Sequence, residues 1–275
     1  MLPQLIREMP RRRSCLAVVL LLLTLLPACG GDVSSSEELR GSGGAAPEDC
    51  TGATPSMMVA LPEGFSIDAT EVSRCQYQAW LDTLPSTAGQ DPWCSFNTDF
   101  TPQCQWPPGE DGSFPVVCVD WCDAFAYCKA LGKRLCGKIG GGPNAMEDLD
   151  DPTKSQWYAA CSSGGKYAYP YGHAYDDGKL CNDADRSSPG GRWYAPVGSL
   201  SACQSTEVSY AGVFDLSGNV WEWEDSCEGD LGLGDYCRIR GGSCMSPEGY
   251  ASCGWEMLGS RGEGLDPVGF RCCLN

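Results

Sequence analysis

The chain is short of basic side chains and nearly without histidine: 19 lysines and arginines stand against 36 aspartates and glutamates, the formal net charge is −17, and His173 is the only histidine. Each shortage excludes something. Phosphate recognition needs clustered Lys and Arg, so nucleic acid is not an expected partner. One histidine cannot build a two-His iron site, and any Ser-His-Asp or Cys-His hydrolase would have to rely on this one residue. His173 lies in the turn-like run Tyr-Pro-Tyr-Gly-His-Ala at 169–174 with no G-x-S-x-G motif beside it, and it reads as a surface loop residue. No C-x-x-C occurs, which leaves zinc ribbons and fingers without ligands at their usual spacing.

What is present begins with an address. Arg7 and Arg11 to Arg13 precede an apolar run from Leu16 to Leu26, too short to span a membrane comfortably, and small residues lead to a cysteine. That is the pattern of a signal peptide over 1–28. The L-P-A-C at Leu26 to Cys29 resembles a bacterial lipobox, which implies cleavage before Cys29, lipidation of Cys29, and a membrane-anchored protein outside the cytoplasm, on the periplasmic face or the cell surface. Residues 29–55, rich in Ser, Gly, Ala and Glu without apolar periodicity, read as a flexible tether. The remaining 56–275 hold enough residues for one domain with a sizeable core, expected to be monomeric.

Of 19 cysteines, Cys15 leaves with the signal and Cys29 carries the lipid, so 17 remain and at least one cannot pair internally. A cysteine-dense exported domain reads as disulfide-stapled.

The densest chemistry sits at Asp215 to Trp223, D-L-S-G-N-V-W-E-W. Gly218 permits a positive φ and Asn219 tolerates one, so the backbone should turn sharply before Val220 and Trp221. Asp215 and Glu222 can supply anionic oxygens and the carbonyls of Gly218 and Val220 can join them, the oxygen-only set that Ca²⁺ takes. A tight turn with satisfied polar groups and core tryptophans is the alternative. Elsewhere, a Ser73-x-x-Gln76 capping box with Tyr77, Trp80, Leu81 and Leu84 in helical spacing predicts a helix from Arg74 to Leu84, and Asp120 with Gly132 brackets a second over Trp121 to Leu131. Pro115 to Val119, Arg238 to Arg240 and Gly269 to Cys273 read as short buried strands, and Arg134 to Trp157 as an inserted loop.

Seven blocks in order, S-I-D-A-T-E-V-S-x-x-Q-Y from Ser66, P-V-V-x-V-x-W-x-D-A-x-A-Y-C from Pro115, G-K-R-L from Gly132, Q-W-Y-A-A from Gln156, D-L-S-G-N-V-W-E-W, R-G-G-S from Arg240 and V-G-F-R-C from Val268, resemble the formylglycine-generating enzyme, or sulfatase-modifying factor, family. The resemblance implies an α+β architecture: an irregular, loop-rich variant of the C-type lectin fold with two main helices and short mixed strands, here disulfide-rich. It also implies calcium on Asp215, Gly218, Val220 and Glu222, and a second calcium site starting at Asn182 and Asp183. Active members of the family oxidise a sulfatase cysteine with O₂ through copper(I) held by two cysteines, the first three residues after the serine of R-G-G-S. Here Ser246 occupies that position after Ser243, Cys244 stands one residue after the serine, and Cys253 falls where the second cysteine is expected when counted back from Arg261. Three readings follow. Cys244 and Cys253 are bridged to each other or to Cys237, Cys272 or Cys273; or they form a displaced copper pair beside Ser243; or the domain is a calcium-holding binding module for an envelope protein or glycan, without cysteine-oxidase activity.

Overall fold

The computed structural model describes residues 50–109, 111–184 and 194–275. The leader, Cys29 and most of the tether lie outside the described residues. Two small sheets carry the architecture. Strands β1 (Met58–Ala60), β2 (Ser66–Asp68), β3 (Arg134–Leu135) and β8 (Cys272–Leu274) form one in the order β1-β2-β8-β3, all antiparallel. Strands β4 (Trp221–Cys227), β5 (Tyr236–Arg240), β6 (Glu256–Ser260) and β7 (Val268–Phe270) form the other in the order β6-β5-β4-β7, with β7 parallel to β4.

The helices start as the sequence dictates. In α1 (Arg74–Leu81) the Ser73 hydroxyl accepts the Gln76 amide while the Gln76 side chain accepts the Ser73 amide at 2.8 Å, a complete capping box. Asp120 and Asp123 cap α2 (Trp121–Ala130) in the same reciprocal way. The end of α1 differs from expectation: Leu84 is 87 % exposed with a φ of 56° rather than a fourth core position. Pro85 follows it, and a residue before proline is driven from helical geometry.

Three further expectations are corrected. There are three α-helices among the described residues, since Gln156–Ser162 forms α3 with Ser155 as its N-cap; at seven residues it is too short to show periodicity. Pro115 to Val119 is buried but enters no sheet, making only an isolated bridge from Pro115 to Ser73. Pro115 has no amide proton and Cys118 sits at φ 62°, which ends any ladder there. Gly269 to Cys273 is two strands, β7 and β8, in different sheets with Arg271 at the break.

The main core lies between α1, α2 and the β4–β7 pair, where Tyr77, Trp80, Tyr127, Trp223 and Phe270 pack together. Tyr77 stacks on Tyr127 at 5.5 Å, and Phe270 meets Tyr127 edge-on at 5.3 Å. Among the described residues, eight disulfides tie the loops to this frame. Neighbouring Cys272 and Cys273 point to opposite sides of β8, so one reaches Cys128 on α2 and the other Cys136 beside β3. So many disulfides fit an oxidising compartment outside the cytoplasm. Among the described residues, no helix is long and apolar enough to cross a membrane.

Candidate functional site

Turn and strand divide the Asp215–Trp223 segment between two tasks. Asp215, Gly218 and Asn219 all adopt positive φ, at 61°, 80° and 59°. Glycine is required at 218, because a Cβ there would collide with the Asn182 carbonyl. Asn219 binds on every side: its amide donates to Asn182 O at 2.7 Å, its side-chain NH₂ to Glu71 Oε1 at 2.9 Å, and its side-chain oxygen accepts from the Ala195 amide at 2.9 Å. Its carbonyl accepts from the Cys244 amide at 2.8 Å, joining the turn to the R-G-G-S block.

From Trp221 the chain is a strand, and its period-two alternation sorts W-E-W-E into two faces. Trp221 and Trp223 enter the aromatic core. Glu222 and Glu224 point the other way into a buried ionic layer. Glu222 takes a bidentate pair of bonds from Arg271, both 2.7 Å, and a third from the Trp157 indole at 2.9 Å. Glu224 lies 3.4 Å from Arg238 and 3.5 Å from Arg240, and accepts from the Ser155 hydroxyl at 2.8 Å. Arg240 also covers the Trp157 ring at 4.9 Å.

Around Arg271 the interior holds more negative than positive charge. Glu71 and Asp215 are buried beside it, and Asp215 accepts from the Gly198 amide at 2.6 Å. Burial, reinforced by the charge of Asp215, raises the Glu71 carboxyl well above its ordinary range, and burial raises Asp215 as well. Glu71 Oε2 has no partner. Both Glu222 oxygens accept from Arg271, so a calcium ion on Asp215, Gly218, Val220 and Glu222 would have to share that carboxylate with the guanidinium. Among the described residues no three acidic, cysteine or histidine side chains converge to hold a metal. Asn182, expected to open a second site, packs on the first turn through an isolated bridge to Gly218 and a side-chain bond to Asn219 at 3.1 Å; Asp183 beside it is buried.

The cysteine pair is also rearranged. Cys253 is bonded to Cys161 on α3, and is therefore no thiolate ligand. The other partners considered are occupied: Cys237 by Cys227, Cys272 by Cys128 and Cys273 by Cys136. Cys244 is the one free cysteine among the described residues. It is buried at the wall of a cavity of about 430 Å³ with Arg74, Gln105, Tyr194 and Asp266. Burial, then the negative charge of Asp266, pushes its thiol up to about 12, so it stays protonated at neutral pH. Ser246, where the family places its first cysteine, donates its amide to Ser243 O at 2.9 Å, and its hydroxyl accepts the Ser243 amide at 2.9 Å. Ser246 itself therefore offers a hydroxyl, already used within the turn, where the family has a thiolate. His173 is exposed and meets Tyr167 edge-on at 5.1 Å.

Sequence reasoning missed Glu71, Trp157 and Arg271, although all three stand inside the quoted blocks. The available signal was charge among apolar residues: Arg271 in V-G-F-R-C, and Arg238 and Arg240 alternating opposite the glutamates of W-E-W-E.

Fold and site together define a disulfide-stapled α+β domain organised on a buried carboxylate–guanidinium turn. The chain belongs to the family described as the sulfatase-modifying factor enzyme 1-like domain, whose model matches residues 28–275. It is similar to the inactive C-alpha-formylglycine-generating enzyme 2 of Bos taurus, 31 % identical over 172 residues that cover 58 % of this chain and 50 % of that protein. It also resembles the formylglycine-generating enzyme of Streptomyces coelicolor, 31 % identical over 127 residues, 40 % of this chain and 31 % of that one. The chain thus spans half the length of these relatives or less. Among solved structures, PvdO from Pseudomonas aeruginosa superposes with a TM-score of 0.53 at 22 % identity over 84 % of this chain and 89 % of that one, a likeness of fold.

Proposed function

We propose that the domain is a binding or structural module of the cell envelope, anchored outside the cytoplasm through Cys29, that keeps the formylglycine-generating fold without its copper chemistry. The observation that carries this reading is the bond between Cys253 and Cys161. Copper(I) requires a pair of soft thiolates, and this bond leaves one buried, protonated thiol at Cys244. The likeness to an inactive relative supports it. The purified protein, incubated with copper, O₂ and a peptide containing C-x-P-x-R, is expected to form no aldehyde, and conversion of the peptide cysteine to formylglycine would overturn the proposal.

Within this module the Asp215–Glu222 turn is held by Arg271 rather than by a resident calcium ion. The surplus of buried carboxylates and the unpartnered Glu71 oxygen favour the other reading, in which calcium displaces the guanidinium from Glu222. Thermal unfolding with chelator and then with millimolar calcium separates the two: a ligand that binds only the folded state raises Tm with its concentration. No shift is expected.

A further inference from the structure

The eight disulfides among the described residues are not equivalent. Five have both cysteines buried, and two of these, Cys128–Cys272 and Cys136–Cys273, join segments 144 and 137 residues apart across the core. Cys227–Cys237 differs from them in three respects. It closes the shortest span, a sequence separation of 10 against 14 for the next, and the entropic stabilisation from a cross-link falls with the length of chain that it closes. Its cysteines are direct partners in the β4–β5 ladder. Trp223 stands opposite Ile239 on one side of the bond, and on the other the Glu228 amide donates to Tyr236 O at 2.9 Å, so backbone pairing brackets it. Lastly, Cys227 is half-buried and lines a cavity of about 560 Å³ between the start of α2 and the far end of β4, with Trp93, Trp121 and Phe125. Thiol–disulfide exchange needs a thiolate to reach one sulfur of the pair, and the cavity leads to this one. Cys94–Cys122 also borders a cavity, of about 310 Å³, but both its cysteines are buried.

The hairpin tip between Cys227 and Cys237 is held by polar contacts. The Gly232 amide donates to Asp235 Oδ2 at 2.9 Å and Arg261 Nη2 donates to Gly229 O at 2.6 Å. Leu231 is 91 % exposed. Gly229 and Asp230 line the same cavity as Cys227, so the tip forms part of its wall. A segment with so little apolar packing lies at the low-stability end of a fold, and the disulfide is its covalent restraint.

We propose that Cys227–Cys237 is an exchange-active disulfide, opened by a dithiol reductant while the other seven stay closed, whose redox state sets how freely the 228–236 tip moves at the cavity wall. A thiolate of the reductant attacks Cys227 Sγ; the disulfide bond breaks, and Cys237 Sγ leaves with the electron pair and takes up a proton. The second thiol of the reductant then displaces Cys227, which leaves in the same way. The pair gains two electrons and two protons, and the dithiol is oxidised to a disulfide. The β4–β5 ladder stays paired throughout, so the change is confined to the tip.

The native full chain is titrated with dithiothreitol, trapped with N-ethylmaleimide and mapped by peptide mass spectrometry, with Cys244 as the thiol present before reduction. Cys227 and Cys237 are expected to be labelled together at a reductant concentration about 10-fold below that needed for any other pair. Hydrogen exchange in the selectively reduced protein should quicken at residues 228–236 and stay unchanged in α2 and β8. A double variant, Cys227→Ser with Cys237→Ser, should fold and show the same exchange pattern without reductant. The proposal is overturned if Cys50–Cys75, whose cysteines are both half-buried, or Cys104–Cys118 opens first. Opening of all eight in one step, unchanged exchange at 228–236, or a double variant that does not fold overturns it equally.

Discussion

The turn at Asp215–Trp223 and the loop from Ser243 to Cys253 are joined by one hydrogen bond, from the Cys244 amide to Asn219 O, yet they follow the family pattern to different degrees. The turn keeps its motif and adopts its positive φ angles, with both glutamates of W-E-W-E buried against arginines. In the loop a serine stands where the first cysteine belongs and the second cysteine is sealed in a disulfide. Residues that build the frame and residues that would carry the chemistry are therefore separable. The frame's side chains are locked by packing from several elements at once, so losing one exposes a buried charge. The loop is tied to the frame mainly through its backbone and one disulfide, by Ser217 to Ala251 O, Arg240 to Cys253 O and Cys253 to Cys161.

The comparison is broken most severely at Arg271. Replacing it with Met leaves Glu222 and its neighbours buried without their cation, and chemical denaturation is expected to show a loss of about 3–5 kcal/mol. A loss below about 1 kcal/mol would mean that the turn is held by something other than this guanidinium. In the loop, changing Cys161 and Cys253 together to Ser opens a link across a sequence separation of 92 and should cost about 3–4 kcal/mol without creating peptide-oxidising activity. If the double variant unfolds at the wild-type denaturant concentration, that disulfide is no part of the folded frame.

Further along β4, Asp225 sharpens the contrast through pH. Burial, with the negative charge of Glu224, raises its carboxyl to about 6 against the partial compensation of Arg134. A raised carboxyl binds its proton more tightly in the folded state, so its contribution is most favourable at low pH. That contribution is lost as pH rises from the ordinary carboxylate value near 4 through about 6, by about 3 kcal/mol. Asp225→Asn should flatten the stability curve between those limits, as read by denaturant titration at several pH values; an unchanged slope there removes Asp225 as its source. The smallest effect is expected at Cys244. Native protein at pH 8 should react with a thiol reagent only slowly at Cys244, and denatured protein should be labelled at one site within residues 50–275. Cys244→Ala should cost about 1 kcal/mol. Rapid reaction of the native protein would show that Cys244 is a thiolate and would reopen its chemistry.

Local signals were the legible part. Ser73 with Gln76, Asp120 before Trp121, Gly218 and Asn219 in the turn, and the short buried strand at Arg238 to Arg240 each act within a few residues, and each forms where the sequence places it. Leu84 misled because its helical spacing ignored Pro85, and Pro115–Val119 because apolar character alone does not supply amide donors for a ladder. The surroundings of Glu222 were out of reach for a different reason. Its carboxylate suits calcium in isolation, and only the approach of Arg271, 49 residues away, turns it into half of an ion pair.

By itself the sequence determined the family, the α+β class, the positive-φ turn, the oxidising compartment implied by so many cysteines and the presence of at least one unpaired thiol. Only the tertiary structure decided that the thiol is Cys244, that Cys253 meets Cys161, and that one strand pattern at 269–273 is divided between two sheets. Turns and caps are satisfied by neighbours in sequence. Disulfide partners, buried ion pairs and sheet membership depend on which distant segments the fold brings together.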